Sequence, residues 1–171
     1  NVSITQPQEI NVTDTVIQPD CFGGHDGIAT VYVNGGTPAY TYLWNSTPNQ
    51  ITANAIGLSA GIYTCTITDS LLCTAEHIVN ITQPSDIDIS LTSTDISCSG
   101  YSDGDISLIV NGGISPYDYS WFGPDSYSST FPSISALDSG MYILTITDTN
   151  GCIGIDSSLI LEPAILEHTF T

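Results

Sequence analysis

The chain contains neither lysine nor arginine. Its 18 acidic residues stand against three histidines, for a formal charge of −18 at pH 7. This absence closes off several function classes. No basic patch can neutralise phosphates, so nucleic acid is not an expected partner. Anionic lipid headgroups are repelled for the same reason. Phosphate-loop and Schiff-base chemistry both need a lysine, and Lys–Asn isopeptide staples cannot form. Long apolar runs are also missing. None approaches the roughly 18 residues that cross a bilayer as a helix, so direct membrane insertion is not expected. The sequence opens at Asn1 without a secretory leader, and the segment is expected to be part of a longer exported chain. The charge itself is read first as solubility and mutual repulsion.

What is present is a repeat. Asn34-Gly35-Gly36 recurs as Asn111-Gly112-Gly113, an offset of 77. Tyr40, Tyr42 and Trp44 recur as Tyr117, Tyr119 and Trp121, and Cys21, Gly23, Asp26 and Gly27 as Cys98, Gly100, Asp103 and Gly104. After Trp121 the second copy gains two residues, so the offset becomes 79. Gly61, Tyr63, Asp69 and Cys73 then match Gly140, Tyr142, Asp148 and Cys152. The expected organisation is a tail strand of a preceding copy at 1–7 and repeat one at 8–84. Repeat two follows at 85–163, then the first strand of a further copy at 164–171. Pro84 and Pro163 close the repeats without a flexible linker, which predicts an end-to-end rod with neighbouring repeats as partners.

Hydrophobic alternation gives the secondary structure. Ala29, Val31 and Val33 align with Ile106, Leu108 and Val110 as a core face, with Tyr32 and Ile109 on the opposite face. Tyr63, Cys65 and Ile67 align in the same way with Tyr142, Leu144 and Ile146. No window of similar length shows helical periodicity. Six or seven strands in about 77 residues predict an all-β sandwich, immunoglobulin-like or PKD-like. Trp44, Trp121, Tyr63 and Tyr142 are the predicted structural core. Leu58-x-x-Gly61-x-Tyr63 and Leu137-x-x-Gly140-x-Tyr142 have the spacing of a tyrosine corner. Tyr40, Tyr42 and Trp44 lie on one strand face, so a sugar-stacking platform is the functional alternative to core packing.

Five cysteines are present. Cys21/Cys73 and Cys98/Cys152 recur pairwise, which suggests two disulfides in an oxidising compartment. Within-repeat pairs would close loops of about 53–55 residues, for about 4 kcal/mol each. Plain immunoglobulin-like topology opposes this, because the corner before the second strand and the turn before the last strand lie at opposite ends. A staple across the joint, such as Cys21 with Cys152, is the alternative. Cys65 aligns with Leu144 and is expected to be a buried free thiol. Zinc spacing is absent.

Gly57-Leu58-Ser59-Ala60-Gly61 fits a nucleophile elbow, but that motif needs a helix after it, and Ile62 begins a strand. The second copy has Asp138 where Ser59 stands. The chain is therefore not expected to be an enzyme. His25, His77 and His168 have no histidine counterparts and are expected at the surface. No cofactor is expected. Asp26, Asp103, Asp69 and Asp148 recur in pairs and are the candidates for calcium, against the reading that they shape turns.

Read in order, Cys-x-Gly-x-x-Asp-Gly, Asn-Gly-Gly-x-x-x-Tyr-x-Tyr-x-Trp, Leu-x-x-Gly-x-Tyr-x-x-x-Ile-x-Asp, then Cys and a closing Pro, resemble the SprB repeat. The resemblance covers nearly the whole chain, twice. Repeat one departs from it at Leu71-Leu72, where Asn-Gly precedes the last cysteine of repeat two. The resemblance implies stalk repeats of a large Bacteroidetes surface adhesin, exported by type IX secretion and used in gliding or attachment. It places the chain at the extracellular cell surface. Contact with the secretion and gliding machinery would run through other parts of the parent protein. Surface polysaccharide or the substratum is the expected outside partner. A carbohydrate-binding module, and a spacer in a secreted polysaccharide-degrading enzyme, are the competing readings.

Overall fold

The computed structural model describes Gln6 and residues 8–165. It divides into two compact units, Asn1–Pro84 and Ser85–Thr171. The expected end strands at 1–7 and 164–171 lie outside the described residues, apart from Gln6, Ala164 and Ile165, which are not in strands. No helix among the described residues is long and apolar enough to cross a membrane.

The first unit holds six strands: β1 (Asn11–Ile17), β2 (Gly27–Asn34), β3 (Thr41–Trp44), β4 (Asn54–Leu58), β5 (Gly61–Thr68) and β6 (Thr74–Ile81). One sheet has the order β1-β2-β4 and the other β3-β5-β6. All the pairings are antiparallel. This arrangement, with the first, second and fourth strands facing the third, fifth and sixth, is that of an immunoglobulin-like sandwich reduced to six strands. The buried core draws on both sheets: Ala29, Val31, Ala55 and Leu58 meet Trp44, Cys65, Ile67, Val79 and Ile81.

The second unit holds β7 (Asp88–Thr94), β8 (Gly104–Asn111), β9 (Asp118–Phe122), β10 (Ser128–Ser129), β11 (Ile134–Leu137), β12 (Gly140–Thr147) and β13 (Ile153–Ile160). Its sheets run β11-β8-β7 and β10-β9-β12-β13. The pattern is that of the first unit plus one short strand. The segment after Trp121, longer by two residues, forms a 3₁₀ turn at Pro124–Ser126 and β10, which pairs Ser128 with Phe122. The core again spans both sheets, with Ile106, Ile134 and Leu137 against Trp121, Tyr142, Leu144 and Ile146.

Alternation placed the side chains correctly. Ala29, Val31 and Ile106 are buried, while Tyr32 and Ile109 are exposed. Each tryptophan is fully buried yet satisfied. Trp44 Nε1 donates to the Thr52 carbonyl at 2.9 Å, and Trp121 Nε1 to that of Phe131 at 3.0 Å.

Candidate functional site

Each unit has two chemically distinct ends, fixed by strand register. β1 and β2 pair Ile17 with Ile28 at one end and Asn11 with Asn34 at the other. β5 and β6 pair Gly61 with Ile81 and Thr68 with Thr74. The corner end of the first unit therefore carries Cys21, Ser59 and Gln83, where the chain leaves. The turn end carries Gln8, Asn34-Gly35-Gly36 and Asp69–Cys73, where the chain enters. Repeat two has the same ends, with Cys98 and Glu162 at the corner and Ser85, Asn111-Gly112-Gly113 and Cys152 at the turn.

The turn end is organised by a carboxylate. Asp69 is almost fully covered. It accepts the backbone N–H groups of Thr37, Leu71 and Cys73, each at 2.9 Å. Asp148 accepts those of Ile114, Asn150 and Cys152 at the same distance. Burial pushes both carboxyls up, but the converging N–H donors outweigh it and hold them below the usual carboxylate range. The glycines beside them are positional. Gly36 donates its N–H to Gln8 at 2.9 Å and Gly113 to Ser85 at 3.0 Å. Gly35 and Gly112 have φ of +81° and +71°. A Cβ on them would lie 2.0 Å from the Glu9 carbonyl oxygen and 1.8 Å from that of Asp86. No side chain fits there.

Both oxygens of each carboxylate accept backbone N–H groups, the turn-shaping role open to a recurrent aspartate. The other two calcium candidates also accept hydrogen bonds. Asp26 accepts the Asp20 N–H at 3.2 Å, and Asp103 accepts the Ser97 N–H and hydroxyl at 3.0 and 2.5 Å. The hydroxyl and N–H of Ser97 hold the Asp103 carboxyl low. Among the described residues no group of three His, Cys, Asp or Glu gathers to hold a metal.

The corner end is tied by side chains from the two loops. Tyr63 Oη donates to the Ser59 carbonyl and Tyr142 Oη to that of Asp138, both at 3.1 Å, as the tyrosine-corner spacing predicts. His25 Nδ1 lies 2.5 Å from Ser59 Oγ. At the equivalent place in repeat two the Ser102 hydroxyl donates to the Asp138 carboxylate. A nucleophile–base pair in one copy is thus a serine–carboxylate pair in the other. What the two share is a tie between the corner loop and the turn before the fifth strand. His25 lacks a histidine counterpart but has a functional one, which alignment by residue type does not reveal. His77 Nε2 meets Asp14 Oδ1 at 2.7 Å, and His168 lies outside the described residues.

The aromatic face of β3 does not form an open platform. Trp44 is buried, and Tyr40 and Tyr42 pack partly buried against the same core. Tyr40 and Tyr117 each donate their hydroxyl at 2.5 Å to the carbonyls of Gly35 and Gly112, so they brace the glycine turn.

The cysteines depart from the within-repeat expectation. Cys21 and Cys152 are disulfide-bonded, whereas Cys73 and Cys98 are exposed free thiols. The reason is register. Cys21 is at the corner end and Cys73 at the turn end, separated by the length of an eight-residue strand, about 25 Å. A disulfide needs Cα atoms within about 7 Å. The same separation divides Cys98 from Cys152. Cys65 is a buried free thiol, as expected, and burial pushes it up to about 11, which leaves it unreactive.

The SprB repeat model matches residues 13–49 and 90–126, the same stretch of each unit. A search of curated proteins finds no match. Among solved structures the likenesses are remote in sequence. The ectodomain of mouse nectin-like molecule 4 is 13% identical, with 94% of this chain and 67% of that one covered and a TM-score of 0.40. An amphioxus IgVJ-C2 molecule is 12% identical, with coverage of 86% and 95% and a TM-score of 0.38. A Dscam structure is 13% identical at a TM-score of 0.36, covering 92% of this chain, which spans 47% of that one.

Proposed function

We infer that this chain, which carries the SprB repeat twice, is a structural segment of a secreted surface adhesin. The observation that supports this reading most directly is that its distinctive residues maintain the module. The aromatics that recur in both repeats fill cores or brace turns, the recurrent aspartates bind backbone N–H groups, and the Ser–His pair has a non-catalytic equivalent. Such a repeat spaces and presents other parts of a surface protein. Export by type IX secretion, and a role in gliding or attachment to polysaccharide or substratum, follow as the finer proposal from the family.

The charge supports the same reading. With no Lys or Arg, trypsin-like proteases have no site to cut, and like-charged chains repel one another at a crowded surface. The test is immunolabelling of intact cells that make the parent protein, combined with in-frame deletion of these repeats. Labelling without permeabilisation, and loss of attachment while export continues, is the expected result. Labelling only after permeabilisation would overturn the surface reading. Polysaccharide hydrolysis by the purified chain would overturn the structural one.

A further inference from the structure

The four end cysteines are unequally used. One corner cysteine, Cys21, and one turn cysteine, Cys152, are disulfide-bonded. One corner cysteine, Cys98, and one turn cysteine, Cys73, are exposed and free. The free pair lies at the corner end of repeat two and the turn end of repeat one. Each also lines a surface hollow beside the chain's own path. Cys98 shares its hollow with Ser97, Ser99, Pro163, Ala164 and Ile165. Cys73 shares its own with Gln6, Gln8, Glu9, Ile10 and Thr74.

We propose that Cys73 and Cys98 are complementary halves of a disulfide between repeats: the corner cysteine of one repeat pairs with the turn cysteine of another repeat seated at that end. The partner is a second copy of this chain, whose opposite end bears the complementary cysteine. Within-repeat pairing is closed to both thiols, because Cys21 and Cys152 are already oxidised and about 25 Å of strand separates the two ends of a repeat. Cys65, the remaining thiol, is buried in the core. The local build suits docking. Glu162 accepts the Gly100 N–H at 2.6 Å and the Ser99 hydroxyl at 2.8 Å, which holds the Cys98 loop against the exit segment. Asp69 fixes the Cys73 backbone at the other end. Hydrogen bonds tie both loops, so little entropy is lost when the thiols pair.

The chemistry is thiol–disulfide exchange with a disulfide oxidant, a dithiol oxidoreductase in its oxidised form or oxidised glutathione in vitro. One cysteine thiolate attacks the oxidant, forming a mixed disulfide and releasing one thiol. The second cysteine thiolate attacks the protein sulfur of that mixed disulfide and releases the other thiol. One Sγ–Sγ bond forms, two thiol protons leave, and the two electrons reduce the oxidant's S–S bond.

The inference rests on the structural-repeat reading but is tested separately from it. Two full-length variants, C73S and C98S, each keep one end thiol. They are oxidised with glutathione disulfide, alone and in equimolar mixture, then resolved without reducing agent. The mixture is expected to give covalent dimer about tenfold faster than either variant alone, because complementary ends raise the effective concentration of the thiols. Chymotryptic peptides of that dimer should link Cys98 to Cys73. Serine is close in size to cysteine, and matching melting curves confirm that both variants are folded. Equal dimerisation of the single variants and the mixture would overturn the proposal, as would monomers carrying only glutathione caps. Either failure leaves surface labelling of the parent protein unchanged, so the two readings fall separately.

Discussion

Repeats one and two share a topology but differ in how they cover the same tyrosine. In repeat two the insert after Trp121 lays Tyr127 against Tyr142, edge to face at 5.3 Å, and Tyr142 is almost completely buried. Repeat one has no insert. There Tyr63 is only partly buried, and it borders an open hollow lined by His25, Pro48, Gln50 and Ser59. The turn before the last strand differs as well. Gly151 sits there at φ +84°, while Leu72 takes the same left-handed conformation at φ +65°. Both donate their N–H to the preceding aspartate carbonyl at 3.0 Å. The turn is therefore imposed by Asp69 and Asp148 rather than by the residue that has to bend. One scaffold tolerates a worse turn residue and a thinner cover as long as the carboxylate and the tryptophan remain.

The largest effect is expected at the residue the repeats share. Asp148→Ala or Asp69→Ala strands three backbone N–H groups, and calorimetry should show the affected repeat melting roughly 10 °C lower. A much smaller change would mean that the turns hold without the carboxylates. The same groups set the acid limit. Both carboxyls are depressed in the folded state, so their contribution is complete above the ordinary carboxylate pKa of about 4. It is lost as pH falls through the folded values. An acid titration followed by near-ultraviolet dichroism should be flat through neutral pH and fall only below that range, and the Asp148→Ala variant should lack part of the fall.

Removing the extra cover should come next. Tyr127→Ala should cost repeat two about 2 kcal/mol in denaturant melts, from lost burial and ring contact, and leave repeat one unchanged. The turn comparison predicts a gain. Leu72→Gly should stabilise repeat one by about 1 kcal/mol by relieving a left-handed leucine, and Gly151→Leu should cost repeat two a similar amount. The smallest effect is expected at the pair that resembles catalytic machinery. Ser59→Ala should shift the melt by less than about 0.5 kcal/mol and change no hydrolytic activity towards ester or polysaccharide substrates.

Much of this was legible in the sequence because it rests on period-two alternation and on residues that recur with the repeat. The core faces of β2 and β5, both tryptophans and both tyrosine corners could be read directly. The cysteine pairing could not. Recurrence at a fixed separation shows that Cys21 and Cys98 occupy equivalent places. It does not show that Cys21 is near Cys73, which depends on which end of the sandwich each loop reaches. That Asp69 and Asp148 hold turns could not be read from recurrence, since cation ligands and N–H acceptors draw on the same residue type. The Ser–His tie escaped because its equivalent is Ser–Asp, with the role of the loop kept and the residues changed. The insert showed in sequence only as a gain of two residues, and its pairing of β10 with β9 depends on cover over Tyr142 that alternation does not encode.

In these repeats the four end cysteines serve the ends and do not cross the core. Disulfide mapping of the unreduced chain tests this most directly. The chain is alkylated under native conditions, then denatured and digested with chymotrypsin or an Asp-specific protease, since trypsin has no site. The expected result is alkylated Cys73 and Cys98, with Cys21 and Cys152 recovered only in disulfide-linked peptides. A Cys21–Cys73 or a Cys98–Cys152 peptide would contradict it.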